Sequence, residues 1–173
     1  MPTKATATTA IIYGGARKDG NTRKVADAVA QKISADVFDV SDYKISFYDH
    51  EHNNREDDFL PLIKQLLEYD RWIFASPIYW YTMSAQLKVF VDRLSDLLDI
   101  EQEMTEQLLG LDAALIATGF EEDCPLCYED VFINTFNDLG MSYQGCLYLN
   151  VGKAIDPTLL ESELDQFLVS LPS

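Results

Sequence analysis

Short apolar segments alternate along the chain with longer segments in which apolar residues recur every three or four positions. Near-continuous apolar runs are typical of strands buried in a parallel sheet. Five such strands are predicted, at residues 9–13, 36–40, 72–75, 113–117 and 145–149. The three-and-four spacing indicates amphipathic helices. These helices are predicted in the intervals 25–33, 60–67, 87–98, 132–139 and 160–168.

The alternation of strands and helices predicts an α/β fold. Parallel strands need right-handed crossover connections, which place helices on both faces of the sheet. With five strands, we expect a flavodoxin-like, doubly wound parallel sheet of order 2-1-3-4-5. No linker or internal repeat divides the chain, so residues 1–173 are predicted to form a single domain. Such sheets bind ligands beyond the carboxyl ends of their strands, which directs attention to the loops after strands one, three and four.

The charge of the chain narrows the possible partners. Thirteen Lys and Arg residues against 29 Asp and Glu residues give a net charge of -16. An acidic surface repels nucleic acid and anionic membranes, so neither is an expected partner. Residues 1–9 contain no apolar run of the kind a signal sequence needs, and no run of 18 apolar residues occurs, so we expect the protein in the cytoplasm.

The loop after the first strand, residues 14–22, reads GGARKDGNT and leads into a helix expected to begin at about Asn21 or Thr22. A glycine-rich turn at a helix N-terminus offers free backbone N–H groups to a phosphate. Asn21 and Thr22 are expected to cap the helix and to donate hydrogen bonds to phosphate oxygens, with Arg17 supplying a charge-assisted pair. Four cationic residues fall within eight positions here, at 17, 18, 23 and 24. The alternative is an ordinary capped helix with solvated basic residues.

Two other nucleotide motifs fit this loop less well. Gly15 and Gly20 have the spacing of a P-loop, but Asn21 stands where that motif needs its lysine. The loop also lacks the GxGxxG pattern of dinucleotide-binding proteins. A monophosphate of the flavin mononucleotide (FMN) type is therefore favoured.

Three consecutive aromatic residues follow the third strand, Tyr79, Trp80 and Tyr81. They cannot all face the core, so some of them are expected to line a cleft or an interface. A flat aromatic ligand would stack well against them.

These two loops carry a resemblance to a known family. Residues 77–88 (PIYWYTMSAQLK), with Asp92 and Arg93 beyond, resemble the isoalloxazine-binding segment of flavodoxin-like NAD(P)H-dependent FMN reductases and quinone reductases. Residues 14–22 resemble the phosphate loop of the same family, and the order of elements is similar over nearly the whole chain. The resemblance implies three groups of cofactor-binding residues: Gly15, Arg17, Gly20, Asn21 and Thr22 at the phosphate; Pro77, Ile78, Tyr79, Trp80 and Tyr81 at the flavin ring; and Thr118, Gly119 and Phe120 at a further side of the ring.

The resemblance also implies a function. FMN would be the cofactor, NAD(P)H the electron donor, a quinone or another small molecule the acceptor, and a homodimer the assembly. No catalytic acid or base is assigned, because the flavin itself accepts hydride. Two alternatives stay open: a flavodoxin-type electron carrier, favoured by the acidic charge, and a binding module without FMN, favoured by Gly15 where many relatives have a serine.

Two groups of side chains in the sequence are of types that can bind a metal. His50 and His52 lie beside acidic residues, but no third ligand cluster is evident, so no metal is predicted. The same loop has no cysteine, which excludes the iron–sulfur cluster that some relatives carry there. Cys124 and Cys127 have CxxC spacing and are interpreted as an incidental pair of reduced thiols rather than a redox dithiol.

Overall fold

The computed structural model describes residues 7–152 and 157–172, and its centre is a five-stranded parallel sheet of order β2-β1-β3-β4-β5. The strands are β1 (Thr9–Tyr13), β2 (Asp36–Asp39), β3 (Arg71–Pro77), β4 (Asp112–Gly119) and β5 (Ser142–Asn150). The predicted fold class and strand order are confirmed. Strand β2 ends one residue earlier than predicted, because the Asp39 carboxylate accepts the Ser41 N–H at 2.9 Å and starts a 3-10 turn.

Seven helices are present in the part of the chain that the structure describes. They are α1 (Asn21–Ile33), α2 (Phe59–Leu66), α3 (Ala85–Arg93), α4 (Ser95–Ile100), α5 (Gln102–Leu108), α6 (Leu126–Asp138) and α7 (Pro157–Ser170). The single helix predicted at 87–98 is wrong: the Leu94 N–H bonds the Val91 carbonyl three residues back, which tightens the turn and separates α3 from α4. Helix α5 escaped prediction because only Leu108 in it is buried, so it has no apolar face.

The helices cover both faces of the sheet. Helices α2, α3 and α6 pack on one face, where Phe74 lies 5.2–6.3 Å, centroid to centroid, from the rings of Phe90, Phe132 and Phe136. Helices α1 and α7 cover the other face. Burying each such side chain stabilises the fold by roughly 1.5–3 kcal/mol. Within the described residues, no helix is both long and apolar enough to span a bilayer.

Arg93, a buried residue of helix α3, anchors the segment that joins β2 to α2. The Arg93 side chain is fully buried and pairs with Asp57 at 2.6 Å and with Asp96 at 2.7 Å. It also donates to the Ser46 carbonyl at 3.1 Å, and its guanidinium lies 4.7 Å from the centroid of the Phe59 ring. A buried charge is stable only when it is paired and hydrogen-bonded, as this one is. The cluster therefore holds the long connection between β2 and α2 against helix α3.

Replacing this arginine should destabilise the fold strongly. Arg93→Met leaves the carboxylates of Asp57 and Asp96 without their cation, and we expect the free energy of unfolding to fall by about 3–5 kcal/mol in urea denaturation. The matched control is Lys88→Met on the exposed side of the same helix, where Lys88 pairs with Asp92. That change should cost no more than about 0.5 kcal/mol. Similar small losses for both variants would contradict a structural role for Arg93.

Candidate functional site

The carboxyl ends of three strands meet at one edge of the sheet. Strand register places Tyr13 of β1 beside Ala75 of β3, and Pro77 of β3 beside Thr118 of β4. This is the edge where ligands of such sheets bind, because the strand order reverses between β1 and β3. The loops that follow these three strands therefore surround a common space.

A buried serine joins the first two of these loops. The Ser84 hydroxyl donates to the Gly14 carbonyl at 2.7 Å and accepts the Leu87 N–H at 3.1 Å, which caps helix α3. The Ser84 N–H in turn donates to the Ser76 hydroxyl at 2.9 Å. Gly14 has no side chain because a Cβ there would lie 2.6 Å from the Leu87 Cβ. The loops after β1 and β3 are thus held in close contact.

Two adjoining cavities open between the loops. The larger cavity has a volume of about 300 Å³ and is lined by Tyr13, Ala16, Arg17, Gly20, Asn21, Thr22, Pro77, Ile78, Tyr79, Thr118, Gly119, Phe120 and Val151. The smaller cavity, of about 180 Å³, is lined by Ile78, Trp80, Tyr81, Gly119, Phe120, Glu121, Pro125 and Tyr148. Ile78, Gly119 and Phe120 line both cavities, so the two cavities share a wall.

The sequence-predicted residues converge on these cavities. Ten of the thirteen line the larger one, and Trp80 and Tyr81 line the smaller one. Gly15 lines neither cavity and is buried within the loop after β1. Their roles as cofactor ligands remain predictions. Sequence reasoning missed Tyr13 at the end of predicted strand one, Tyr148 within predicted strand five, and Val151, which directly follows β5.

The start of helix α1 leaves backbone donors free. The residue before the helix is Gly20, and no side chain caps it, so the expectation that Asn21 and Thr22 cap the helix is wrong. The Thr22 hydroxyl instead pairs with the Thr118 hydroxyl at 2.6 Å, in a buried contact between the loop after β1 and the end of β4. The uncapped first turn, with its positive dipole end, fits a phosphate group.

Only part of the basic cluster faces the larger cavity. Lys18 forms an ion pair with Asp42, and Arg23 pairs with Asp27 at 2.8 Å. Arg17 lines the cavity and, among the described residues, forms no ion pair. The four-residue cluster therefore does not face the cavity as a unit, and Arg17 is the one of the four that lines it.

Tyr13 explains why residue 15 has no side chain. The Tyr13 hydroxyl donates to the Arg17 carbonyl at 2.5 Å, which closes the loop over the tyrosine. A Cβ at Gly15 would lie only 2.2 Å from that hydroxyl oxygen. Burial, together with nearby Asp39, raises the pKa of Tyr13 to about 12, so the phenol stays a protonated donor at neutral pH. The tyrosine occupies the space that a serine side chain at position 15 would need.

The aromatic segment forms a strained turn beside the smaller cavity. Tyr79 and Thr82 exchange backbone hydrogen bonds of 2.9 and 3.2 Å, and the two residues between them, Trp80 and Tyr81, have φ values of 49° and 66°. Positive φ at both central positions is the geometry of a type I′ turn, which normally takes Gly, Asn or Asp. Trp80 is 93% exposed, so core packing does not explain the strain. Strain of this kind is typical of functional segments.

The sheet order and the position of the cavities define a protein of the flavodoxin-like class. Residues 7–156 match the family described as NADPH-dependent FMN reductase, and the chain belongs to that family. It is an NAD(P)H-dependent FMN oxidoreductase with FMN as its cofactor.

Individual relatives agree with this assignment. YwqN of Bacillus subtilis, named an NAD(P)H-dependent FMN-containing oxidoreductase, is 33% identical over 152 residues, which cover 79% of this chain and 81% of that protein. The structure of the Trp repressor binding protein from B. subtilis is similar with a TM-score of 0.74 and 27% identity, over 95% of this chain and 97% of that one. An FMN-dependent NADH-azoreductase from Bacillus anthracis, in complex with FMN, has the same fold with a TM-score of 0.71 at 11% identity, over 94% and 97% of the two chains.

Relieving the strained turn should stabilise the protein. Trp80→Gly removes the strain of about 1–2 kcal/mol that a residue with a side chain has in the left-handed conformation. The greater freedom of glycine in the unfolded chain offsets part of this gain in stability. We expect the free energy of unfolding to rise by about 0.5–1 kcal/mol in urea denaturation. Ser34→Gly is the matched control, because Ser34 has φ 55° at the end of α1, away from both cavities. A loss of stability in Trp80→Gly alone would show that the indole packs on the fold.

Proposed function

We propose that the protein passes electrons from NAD(P)H, through FMN held in the larger cavity, to a quinone or another small planar acceptor at the smaller cavity, as a cytoplasmic homodimer. The observation that carries this proposal is the shared wall of the two cavities, Ile78, Gly119 and Phe120. Bound FMN supplies the redox chemistry, since its ring accepts hydride and donates electrons. The chain itself has to bind, orient and shield the reactants.

The phosphate end of the larger cavity would be formed by helix α1 and the loop before it. The backbone N–H groups of the uncapped first turn are available to an anion, and Arg17 adds a guanidinium. The paired hydroxyls of Thr22 and Thr118 offer a donor at the cavity wall, because one proton of the pair is not used between them. These groups together would neutralise and orient a phosphate dianion in an otherwise acidic protein.

The end of the larger cavity that would hold the flavin ring would be formed by the loops after β3 and β4. The Ile78 N–H donates to the Thr118 carbonyl at 2.8 Å, which fixes the backbone where the two cavities meet. Trp80, Tyr81 and Phe120 surround the smaller cavity and are 93%, 56% and 75% exposed. Exposed aromatic faces of this kind would stack on a nicotinamide or quinone ring and keep water from the reacting face. They would also bury a further apolar area in a dimer.

Anaerobic turnover tests the proposed function. The protein is reconstituted with FMN, mixed with NADPH or NADH, and then given a soluble benzoquinone while the flavin absorbance is followed. We expect rapid bleaching by at least one of the two donors and rapid recovery with the quinone. The control is the same concentration of free FMN without protein.

Two results would contradict the proposal. Flavin that is retained but ignores both donors would favour the electron carrier that the charge of -16 also suits. Protein that stays colourless after reconstitution would favour a binding module. Sedimentation velocity on the same sample tests the homodimer, since a single chain has a mass of 19.6 kDa.

Two neighbouring cations provide a matched test of the phosphate end. Arg17→Gln removes the cation that lines the larger cavity, and we expect the FMN dissociation constant to rise about tenfold, which corresponds to roughly 1.4 kcal/mol. Lys18→Gln changes the charge of the same loop equally, but Lys18 pairs with Asp42 and does not line the cavity. Fluorescence titration of FMN should show less than about a twofold change for that variant. Equal weakening by both would mean that only overall charge matters.

A further inference from the structure

Two cysteines and a glutamate come together beside the smaller cavity. The Sγ atoms of Cys124 and Cys146 and a carboxylate oxygen of Glu129 all lie within 4.8 Å of one another. Cys124 precedes helix α6, Glu129 lies in the first turn of that helix, and Cys146 lies on β5. Cys127, the other member of the CxxC pair, is exposed and instead faces the Tyr81 carbonyl, with its Sγ at 3.8 Å.

A bulge in the edge strand creates this arrangement. Ala113 of β4 pairs with Tyr143, whereas Leu115 pairs with Cys146, so β5 contains one extra residue between them. Gly145 sits in the bulge with φ 118°, a conformation that side chains rarely adopt. In a regular strand, residues three apart point to opposite faces. The bulge puts Tyr143 and Cys146 on the same face, both packed against the core beneath α6.

The surroundings of the glutamate support its use as a ligand. The Tyr143 hydroxyl donates to one carboxylate oxygen of Glu129 at 2.6 Å, which orients the group, and among the residues that the structure describes the second oxygen has no hydrogen bond. Within the described residues, Glu129 forms no ion pair. A cation at this point would meet acceptors, and no described cationic side chain pairs with the glutamate.

We propose that Cys124, Glu129 and Cys146 form a binding site for a thiophilic divalent cation of the zinc type. Two thiolates and a carboxylate are ligands that zinc prefers, and neighbouring sulfur ligands on tetrahedral zinc are about 3.8 Å apart, within the spread of this cluster. Each thiol loses its proton to solvent when it binds the ion. Water would supply the fourth ligand, since Cys124 is only partly buried. Tyr143 is a positioning residue for Glu129.

The expectation of no metal rested on the loop of His50 and His52 and on reading the cysteines as a CxxC pair. The close partner of Cys124 is Cys146, twenty-two residues away in the sequence. Pro125 directly follows Cys124, and Tyr148 lies two residues after Cys146. Both Pro125 and Tyr148 line the smaller cavity. A bound ion would therefore hold β5 against the segment before α6 at the border of the candidate acceptor site. The metal proposal does not depend on the proposed electron acceptor.

Zinc binding can be measured on the FMN-loaded protein itself. The sample is reduced with a phosphine, treated with a chelator, desalted, and dialysed against dilute Zn²⁺, and bound zinc is quantified by elemental analysis. We expect one zinc per chain and a higher melting temperature. Cys124→Ser and Cys146→Ser should lose the bound zinc, whereas Cys127→Ser, the matched control, should keep it. Tyr143→Phe should weaken the zinc affinity about tenfold.

A further variant separates binding from folding. Glu129→Gln keeps both thiols and the size of the side chain, so it should fold and retain FMN while its zinc affinity falls at least about tenfold. Absence of stoichiometric zinc in the wild-type protein would overturn the proposal. So would zinc that persists in Cys146→Ser, because the ion would then lie elsewhere. Formation of a Cys124–Cys146 disulfide in air, with no zinc uptake after reduction, would likewise overturn it.

Discussion

The hydrogen bonds of Ser84 are the constraint on which the candidate site depends. One side chain accepts from the first turn of α3 and donates to the Gly14 carbonyl, while its own N–H reaches Ser76. All of these groups are buried, so each would cost about 1–3 kcal/mol if it lost its partner. The loop after β1 and the loop after β3 therefore cannot move apart independently. Their fixed separation gives the larger cavity its two walls.

Electrostatics shape the rest of the site. The protein carries a charge of -16, yet the larger cavity contains the N-terminus of α1 and Arg17, and the neighbouring basic residues Lys18 and Arg23 are already paired with acids. The proposed phosphate end would thus attract an anion to an otherwise acidic protein. Uncapped backbone donors contribute much of this attraction, since they hold their positions without side-chain ordering. The site needs few cations because the helix supplies a fixed partial charge.

Much of the fold followed from local pattern. All five strands and their order were predicted, because buried parallel strands have unmistakable apolar runs and five of them admit few arrangements. Helix α5 was missed because Leu108 is its only fully buried residue, and the break at Leu94 was missed because it does not change the spacing of apolar residues. The capping role of Asn21 and Thr22 was wrong because Thr22 has a partner, Thr118, ninety-six residues away. Contacts of that range cannot be read from neighbouring residues.

The site was predictable to a similar extent. The loop motifs after strands one and three, together with the family resemblance that they carry, identified twelve residues that line the two cavities. The tertiary contacts were not visible: Tyr13 filling the space beside Gly15, the left-handed turn at Trp80, and the meeting of Cys124 with Cys146 across a bulge. Each depends on strand register or backbone geometry, which side-chain chemistry alone does not encode.

The affinity of the protein for FMN relative to riboflavin tests the central claim most directly. Riboflavin has the same ring and lacks the phosphate, so the comparison isolates the contribution of α1 and Arg17. If this end of the larger cavity binds the phosphate, FMN should bind at least about a hundredfold more tightly, which corresponds to roughly 2.7 kcal/mol, and the advantage should shrink as salt is added. Equal affinities for the two flavins would contradict the account.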